Sequence, residues 1–220
     1  MKCVKDDLAC CGICGTNPVI VMCTHKGREY ITEKNAKSQS CRFVIIGNEI
    51  PDNPLGLKWQ CAVEKAKQYN PNPLIICGSD DFLSEDYINK VQRLVNQGFD
   101  LIGVTVWYTY DEKNKKIYHC EYINKNLNFP IGSGKSFSGR LLEKMKYQLF
   151  DIKLNKKLDD FGYHSAIRKG AKIRLIRTPE VLAVKQGDDM NSIESYLNSP
   201  NIKAIEVKLD VLNFFKYANT

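Results

Sequence analysis

The sequence predicts an α/β fold with a mostly parallel central sheet, helices on both faces of that sheet and a small antiparallel extension. Short apolar segments alternate with amphipathic helical segments through the first half of the chain. The apolar segments are hydrophobic at consecutive positions, which is typical of parallel strands that are covered on both faces. Polar residues follow directly after several of these segments, where open α/β sheets bind their ligands.

The first half of the chain follows the order β-α-β-α-β-α-β. The predicted strands span residues 18–23, 42–47, 74–77 and 100–110, and the predicted helices span residues 30–37, 57–69 and 84–97. Within the second helix, Trp59, Val63 and Ala66 share one face, and the sequence Asn-Pro-Asn-Pro then ends it. Gly98 is a good stop for the third helix.

The second half is less regular. Its predicted elements are an antiparallel strand at 116–124, a flexible glycine-rich loop at 129–136, helices at 139–150 and 159–169, a strand at 172–177, a polar loop at 185–191 and helices at 192–197 and 211–217. This part predicts the antiparallel extension of the fold.

Composition places the chain among globular proteins that are soluble. Of its 220 residues, 43% are hydrophobic and 26% are charged. It has no apolar run near the roughly 20 residues that span a bilayer, and its first residues lack a signal-peptide core. We therefore expect no transmembrane segment and a cytoplasmic location.

The nine cysteines indicate reduced thiols rather than a disulfide framework. Their number is odd, and most of them lie in or beside predicted strands and helices: Cys23, Cys41, Cys61, Cys77 and Cys120. Cys10, Cys11 and Cys14 form a separate cluster, but a single C-x-x-C pair is a weak zinc signal. A surface segment is the favoured interpretation of that cluster.

The net charge of +7 suits a solvated basic surface or an anionic ligand such as a nucleotide. Lys and Arg are spread along the chain, and no motif that reads DNA or RNA accompanies them. We expect no nucleic-acid partner.

An acidic pair, Asp80 and Asp81, follows the predicted strand 74–77 after Gly78 and Ser79. Carboxylates at the end of such a strand suit a hard divalent cation. The same stretch also suits a turn that caps the next helix, since Ser84 begins a typical helix start. This stretch alone leaves both interpretations open.

The glycine-rich loop resembles a P-loop only superficially. Its sequence Gly134-Lys135-Ser136 would need a glycine five positions before Gly134, and Phe129 stands there. Nucleoside-triphosphate hydrolysis is therefore disfavoured.

A second acidic pair, Asp159 and Asp160, stands at the start of a predicted helix. Carboxylates are favoured at this position as caps. A carboxylate held in a cleft can also act as a general base. Two acidic pairs at loop positions of one sheet suit a site in which one pair binds a metal ion and the other transfers protons.

The order of these motifs resembles the GT-A glycosyltransferases, especially the inverting, family-2-like group, over about residues 18–191. Thr24 and Arg28 match the family's first loop, which lines the nucleotide, and Asn48 and Glu49 match the turn that touches the base. Residues 79–81 stand at the D-x-D signature, with Ser79 in place of the first acid.

Downstream, a glycine-containing loop beside the acceptor is matched by Gly132 and Ser133. Asp160 then stands at the position of the catalytic base, beside Asp159. The sequence from Arg168 to Ile173 is similar to the family's R-x-x-G-x-K-I continuation. Residues 185–189 match a closing loop, but without its His.

The resemblance implies a metal-dependent transfer with inversion. In it, Mn²⁺ or Mg²⁺ is held by Asp81 with help from Asp80, and Asp160 takes the proton of an acceptor hydroxyl. The implied donor-binding residues are Thr24, Arg28, Asn48, Glu49, Ser79 and Lys58. Those implied on the acceptor or phosphate side are Gly132, Ser133, Asp159 and Lys185. A UDP-sugar donor and a glycan or glycoprotein acceptor are the expected partners.

Under this interpretation the chain is one catalytic domain. Residues 1–16 are an N-terminal extension, 17–110 a nucleotide-binding half, and 111–220 an acceptor-binding half with C-terminal helices. Two alternatives stay open, a sugar-phosphate nucleotidyltransferase and a non-catalytic nucleotide- or glycan-binding module. Nucleotidyltransferases of this kind usually have a glycine-rich loop after the first strand, and this chain has a single glycine there, which disfavours that alternative. A binding module would explain the two acidic pairs only as helix caps.

Overall fold

The computed structural model describes residues 15–38, 41–123, 129–186, 193–208, 210–215 and 217. The strands in these residues are β1 (Val19–Cys23), β2 (Arg42–Ile46), β3 (Leu74–Ile76), β4 (Asp81–Leu83), β5 (Leu101–Val104), β6 (Val106–Asp111), β7 (Lys116–Tyr122), β8 (Ser136–Phe137), β9 (Ile173–Ile176), β10 (Val181–Lys185) and β11 (Ile202–Val207). The α-helices are α1 (Glu29–Ser38), α2 (Leu55–Ala66), α3 (Glu85–Asn96), α4 (Gly139–Lys144), α5 (Leu158–Arg168), α6 (Ile193–Leu197) and α7 (Val211–Phe214), and a 3₁₀ turn (Lys67–Tyr69) follows α2.

The central sheet has six strands in the order β2-β1-β3-β8-β5-β9. All run parallel except β8, which pairs antiparallel with both β3 and β5. At the middle of the sheet, Val21 of β1 is in register with Val44 and with Ile76. The predicted mostly parallel sheet is confirmed.

Helices cover both faces of this sheet, as the continuous apolar strands predict. Alternate residues of β1 face opposite sides. Val19 and Val21 pack with residues of α2, α4 and α5, whereas Ile20 and Met22 pack with residues of α1 and α3. All four are fully buried.

The antiparallel extension is a second sheet of five strands in the order β11-β7-β6-β10-β4. Only β6 and β10 run parallel in it. The C-terminal residues Phe215 and Tyr217 pack on this sheet, where the rings of Tyr217 and Phe82 lie 5.1 Å apart. None of the helices that the structure describes is both long and apolar enough to cross a bilayer.

The single strand predicted at 100–110 is wrong, because the chain changes sheets at Thr105. Strand β5 belongs to the central sheet and β6 to the second sheet. At the break, the amide of Thr105 donates to the carbonyl of Ile176 and its carbonyl accepts from the amide of Tyr122, at 3.1 Å each. An unbroken apolar sequence carries no sign of such a change, because both strands are buried.

The predicted helix 139–150 is also too long, since α4 ends at Lys144. Lys146 and Tyr147 have positive φ angles of 51° and 59°, which break the helix. The side chain of Gln60 supplies the hydrogen bonds that the helix would have made, accepting from the amides of Leu149 and Phe150 at 3.1 Å each. A contact across 90 residues of sequence thus overrides the local helical pattern.

Strands β4, β8, β10 and β11 were missed, the first two because they are only three and two residues long. The predicted helix start at Ser84 is confirmed, because its hydroxyl accepts from the amide of Tyr87 at 3.0 Å. Lys185 ends β10 instead of opening a loop. The described residues do not include the cluster of Cys10, Cys11 and Cys14, residues 124–128 or most of the predicted polar loop.

Candidate functional site

A cleft of about 580 Å³ opens beside the end of β3, between the two sheets and the first turns of α2 and α5. Its lining includes six residues predicted from sequence: Asp80, Asp81, Gly132, Ser133, Asp159 and Lys185. The fold therefore brings the first acidic pair and Asp159 of the second pair to one cavity.

The first acidic pair lies where the chain crosses from the central sheet to the second sheet. The amide of Cys77 still donates to Val21 in the central sheet, at 3.1 Å, and Asp81 already pairs with Ala183 in the second sheet. Between them, the carbonyl of Asp80 accepts from the amide of Val184 at 2.8 Å. Both sheets thereby fix the backbone that carries the carboxylates.

Asp80 is flanked by two cations. The ammonium of Lys185 lies 3.1 Å from its carboxylate, and the guanidinium of Arg28 lies 3.6 Å from the same oxygen. Lys185 is largely buried, so its charge is poorly screened by water. The two cations therefore offset the negative charge of the acidic pair on this side of the cleft.

Asp81 is held on the other side by Ser133. The Ser133 hydroxyl donates to the Asp81 carboxylate and accepts from the amide of Gly78 at 2.8 Å. A side chain at Gly78 would overlap the Asp81 carboxylate, so only glycine leaves room for it there.

The acidic pair offers two carboxylates to a divalent cation. Within the described residues there is no group of three or more His, Cys, Asp and Glu side chains that could enclose a metal. Mg²⁺ in phosphate-transfer sites is typically held by one or two carboxylates, with water and substrate phosphates completing its shell. Asp80 and Asp81 supply that number of carboxylates, and one Asp80 oxygen is already paired with Lys185 and Arg28.

Of the second acidic pair, Asp159 lines the cleft and Asp160 is not among its lining residues. Both stand in the first turn of α5. The side chain of Asp159 is 46% exposed and therefore open to a substrate. Tyr122 lines the same cleft, and burial, reinforced by the charges of Asp159 and Asp160, raises its pKa to about 12.

Lys135 lies behind Asp159 and was not singled out from the sequence. It is only 2% exposed, its ammonium donates to the carbonyl of Asp159 at 3.1 Å, and it lies 3.8 Å from the carboxylate. Burial lowers the pKa of Lys135, and the nearby charges of Asp159 and Asp160 offset part of that shift. The only sequence signal was the Gly-Lys-Ser string of the rejected P-loop.

None of the six predicted donor-binding residues is among the residues that line the cleft. These are Thr24, Arg28, Asn48, Glu49, Lys58 and Ser79. Arg28 is connected to the lining through its ion pair with Asp80. The donor contacts of all six stay predictions.

Lys58 is fully buried and supports the end of β1. Its ammonium donates to the carbonyl of Thr24 and to the carboxylate of Asp52, at 2.6 Å each. Asp52 also lies 3.1 Å from His25. Lys58 therefore stabilises the loop that follows β1 through its bond to Thr24.

Aromatic side chains that the sequence analysis did not assign to the site form two walls of the cleft. Trp59 stacks on Phe150 with ring centres 5.4 Å apart. Opposite them, Trp107 contacts Tyr122 and Tyr196 at 5.1 and 5.9 Å. The Trp59 position was predicted only as part of a buried helix face, because periodicity does not distinguish a core from a cleft wall.

Comparison with known proteins supports the fold. No protein-family model matches the chain, and no curated protein matches it in sequence. Among solved structures it is similar to residues 1–349 of S. aureus TarS in complex with UDP-GlcNAc, with 13% identity and a TM-score of 0.59 over 79% of this chain and 60% of that one. The same TarS segment in complex with UDP gives 10% identity and a TM-score of 0.58, over 77% and 60%.

The TarS segment without a named ligand gives 12% identity and a TM-score of 0.55, again over 77% and 60%. The chain thus spans about three fifths of the length of these structures. Identity at this level establishes the architecture and leaves the activity to be argued from the cleft. The chain has a GT-A-like fold.

Proposed function

We propose that this chain is a glycosyltransferase that moves a sugar from a nucleotide-diphosphate sugar, with a UDP-sugar as the expected donor, to a hydroxyl group of a glycan or glycoprotein. The single observation that carries the proposal is the placement of Asp80, Asp81 and Asp159 in one cleft, with Lys185 and Arg28 beside Asp80. The likeness to a fold solved with UDP-GlcNAc and with UDP supports the choice of donor.

The first acidic pair and its two cations form the diphosphate side of the site. We propose that Asp81, with Asp80, holds Mn²⁺ or Mg²⁺. When bound, this ion would neutralise negative charge on the leaving diphosphate. Lys185 and Arg28, which lie 3.1 and 3.6 Å from the Asp80 carboxylate, would supply positive charge beside the diphosphate.

The second acidic pair supplies the base. An Asp carboxylate takes the proton of the acceptor hydroxyl while that oxygen bonds to the anomeric carbon and the bond from this carbon to the diphosphate breaks. Attack from the face opposite the leaving group inverts the anomeric configuration. The family resemblance assigns the base to Asp160, whereas the cleft lining favours Asp159, and we propose Asp159.

The aromatic walls suit a sugar ring. A pyranose has apolar C–H faces that pack on aromatic side chains, and Trp59, which is partly exposed and supported from behind by the buried Phe150, provides such a surface in the cleft. Acceptor and donor sugars would meet between these walls and Asp159.

The test is release of nucleoside diphosphate from a panel of nucleotide-sugars with Mn²⁺, with and without added sugar acceptors. We expect Asp159→Asn to lower turnover by roughly 100-fold or more, within the range known for catalytic acids and bases, and to keep binding of the nucleotide. Asp86→Asn is the matched control, because Asp86 also stands in the first turn of a helix but is exposed outside the cleft.

The outcomes separate the alternatives. Pyrophosphate formation from a sugar phosphate and a nucleoside triphosphate would replace the proposal with nucleotidyl transfer. Binding without turnover across the panel would make the chain a binding module. If Asp160→Asn alone abolishes turnover, the base is Asp160, as the resemblance assigns it.

A further inference from the structure

Residues 132–135, which we call the connector segment, run between the two acidic pairs. Their backbone is tied to β3, because the amide of Ile76 donates to the carbonyl of Lys135 and the amide of Gly134 donates to the carbonyl of Ile76, at 2.8 Å each. Gly134 has a φ angle of 79°, which favours glycine and allows the turn between these two bonds. The segment expected to be a flexible loop is thus hydrogen-bonded to the strand that leads to Asp80 and Asp81.

The first half of the connector segment holds Asp81. The Ser133 hydroxyl bridges the Gly78 amide and the Asp81 carboxylate. A serine hydroxyl has one proton to donate, so its proton goes to the carboxylate while its lone pair accepts from the amide. This arrangement fixes the orientation of the Asp81 carboxylate relative to the backbone at Gly78.

The second half holds Asp159. The Lys135 ammonium bonds the Asp159 carbonyl and lies 3.8 Å from its carboxylate, and the ring of Phe129 covers the ammonium at 4.7 Å. Gly132, at the start of the segment, also lies close to this acid, since a Cβ atom there would lie 2.6 Å from one carboxylate oxygen. A buried lysine is costly in a protein interior unless it is paired. Its placement against Asp159 gives it a positioning role.

We propose that the connector segment sets the position of the two acids relative to each other, with Ser133 as the positioning residue of Asp81 and Lys135 as the positioning residue of Asp159. The inference rests on the proposed function for what the two acids do. It goes beyond that function by giving Ser133 and Lys135, two residues of one short segment, separate effects on the reaction.

The kinetic test compares Ser133→Ala with Lys135→Met in the full chain. Mutation of a group that orients a metal ligand typically lowers metal affinity or activity about 10- to 100-fold. We expect Ser133→Ala to weaken Mn²⁺-dependent UDP binding about 10-fold and to change turnover at saturation by less than about 3-fold. We expect Lys135→Met to lower turnover about 10- to 100-fold with nearly unchanged UDP binding, and Lys135→Arg to restore part of it because it keeps the charge.

Lys172→Met is the matched control for Lys135→Met. Its ammonium also lies over a phenylalanine ring, that of Phe99 at 4.5 Å, but Lys172 is exposed and does not line the cleft. Equal effects of Ser133→Ala and Lys135→Met on the same parameter, or wild-type values for both, would overturn the proposal.

A second measurement does not depend on activity. We expect Lys135→Met to speed amide hydrogen exchange in the first two turns of α5 by more than in α3, because the ammonium bonds the Asp159 carbonyl at the start of α5. Exchange in those turns that is unchanged, or raised no more than in α3, would overturn the role of Lys135. If the wild-type protein releases no nucleoside diphosphate from any donor, the proposed function fails, and the exchange experiment still decides whether Lys135 holds Asp159.

Discussion

Substitution of Gly132 by alanine adds a single methyl group against the Asp159 carboxylate. The new Cβ would lie 2.6 and 2.9 Å from the two carboxylate oxygens. An ordinary contact begins near 3.4 Å, so the nearer oxygen must move by about 0.8 Å. Gly132 does not have a positive φ angle, so alanine fits its backbone.

The two consequences of this substitution differ in size. The side chain of Asp159 is 46% exposed and can swing away, so the free energy of unfolding should change by less than about 1 kcal/mol. A displacement near 1 Å of a group that must meet the reacting atoms can cost about 100-fold in rate. That factor corresponds to about 2.7 kcal/mol of activation free energy.

The assay is steady-state release of nucleoside diphosphate, with thermal unfolding measured on the same samples. Gly139→Ala is the control, because its Cβ would meet only Pro71 and Asn72 at 3.2 to 3.3 Å, outside the cleft. Wild-type turnover in Gly132→Ala would refute the assignment of Asp159 to the reacting centre. A large loss of stability would show instead that Asp159 is fixed more rigidly than its exposure indicates.

Three further predictions follow from the described contacts. Asp81→Ala should abolish the dependence of UDP binding on Mn²⁺, as measured by calorimetry with and without the ion, and binding that keeps its metal dependence would exclude Asp81 as the ligand. Burial would raise the pKa of Asp100, but hydrogen bonds from the amide of Lys172, from Arg140 and from Ser138 lower it below 3.8 overall. Its stabilising contribution should therefore be full above pH 3.8 and be lost as the pH falls through its folded pKa, and urea unfolding of Asp100→Asn should show a weaker pH dependence in that range. Lys58→Met should lower the free energy of unfolding by about 1–3 kcal/mol in the same assay, because it leaves the Thr24 carbonyl without its donor.

The candidate site was only partly predictable. Some of its residues are recognisable from their sequence neighbours, whereas others depend on contacts with distant parts of the chain. Asp80, Asp81 and Asp159 could be found from sequence, since each directly follows or begins a predicted element and two adjacent acids are conspicuous there. Lys135 could not, because a lysine in a glycine-rich loop gives no sign that it will be buried. Its burial depends on Phe129 and on the first turn of α5, which begins more than 20 residues later.

The sequence by itself determined the alternation of strands and helices, the mostly parallel central sheet and the start of α3. These features depend on hydrophobic periodicity and on capping residues, which act over a few neighbouring positions. Only the tertiary structure decided that the chain changes sheets at Thr105, that α4 ends early and that Asp159 rather than Asp160 lines the cleft. Each of these depends on a partner distant in sequence, such as Ile176 for Thr105 and Gln60 for the segment after α4. Hydrogen bonds to such a partner outweigh the local sequence pattern. They form only in the folded chain, where the two segments meet.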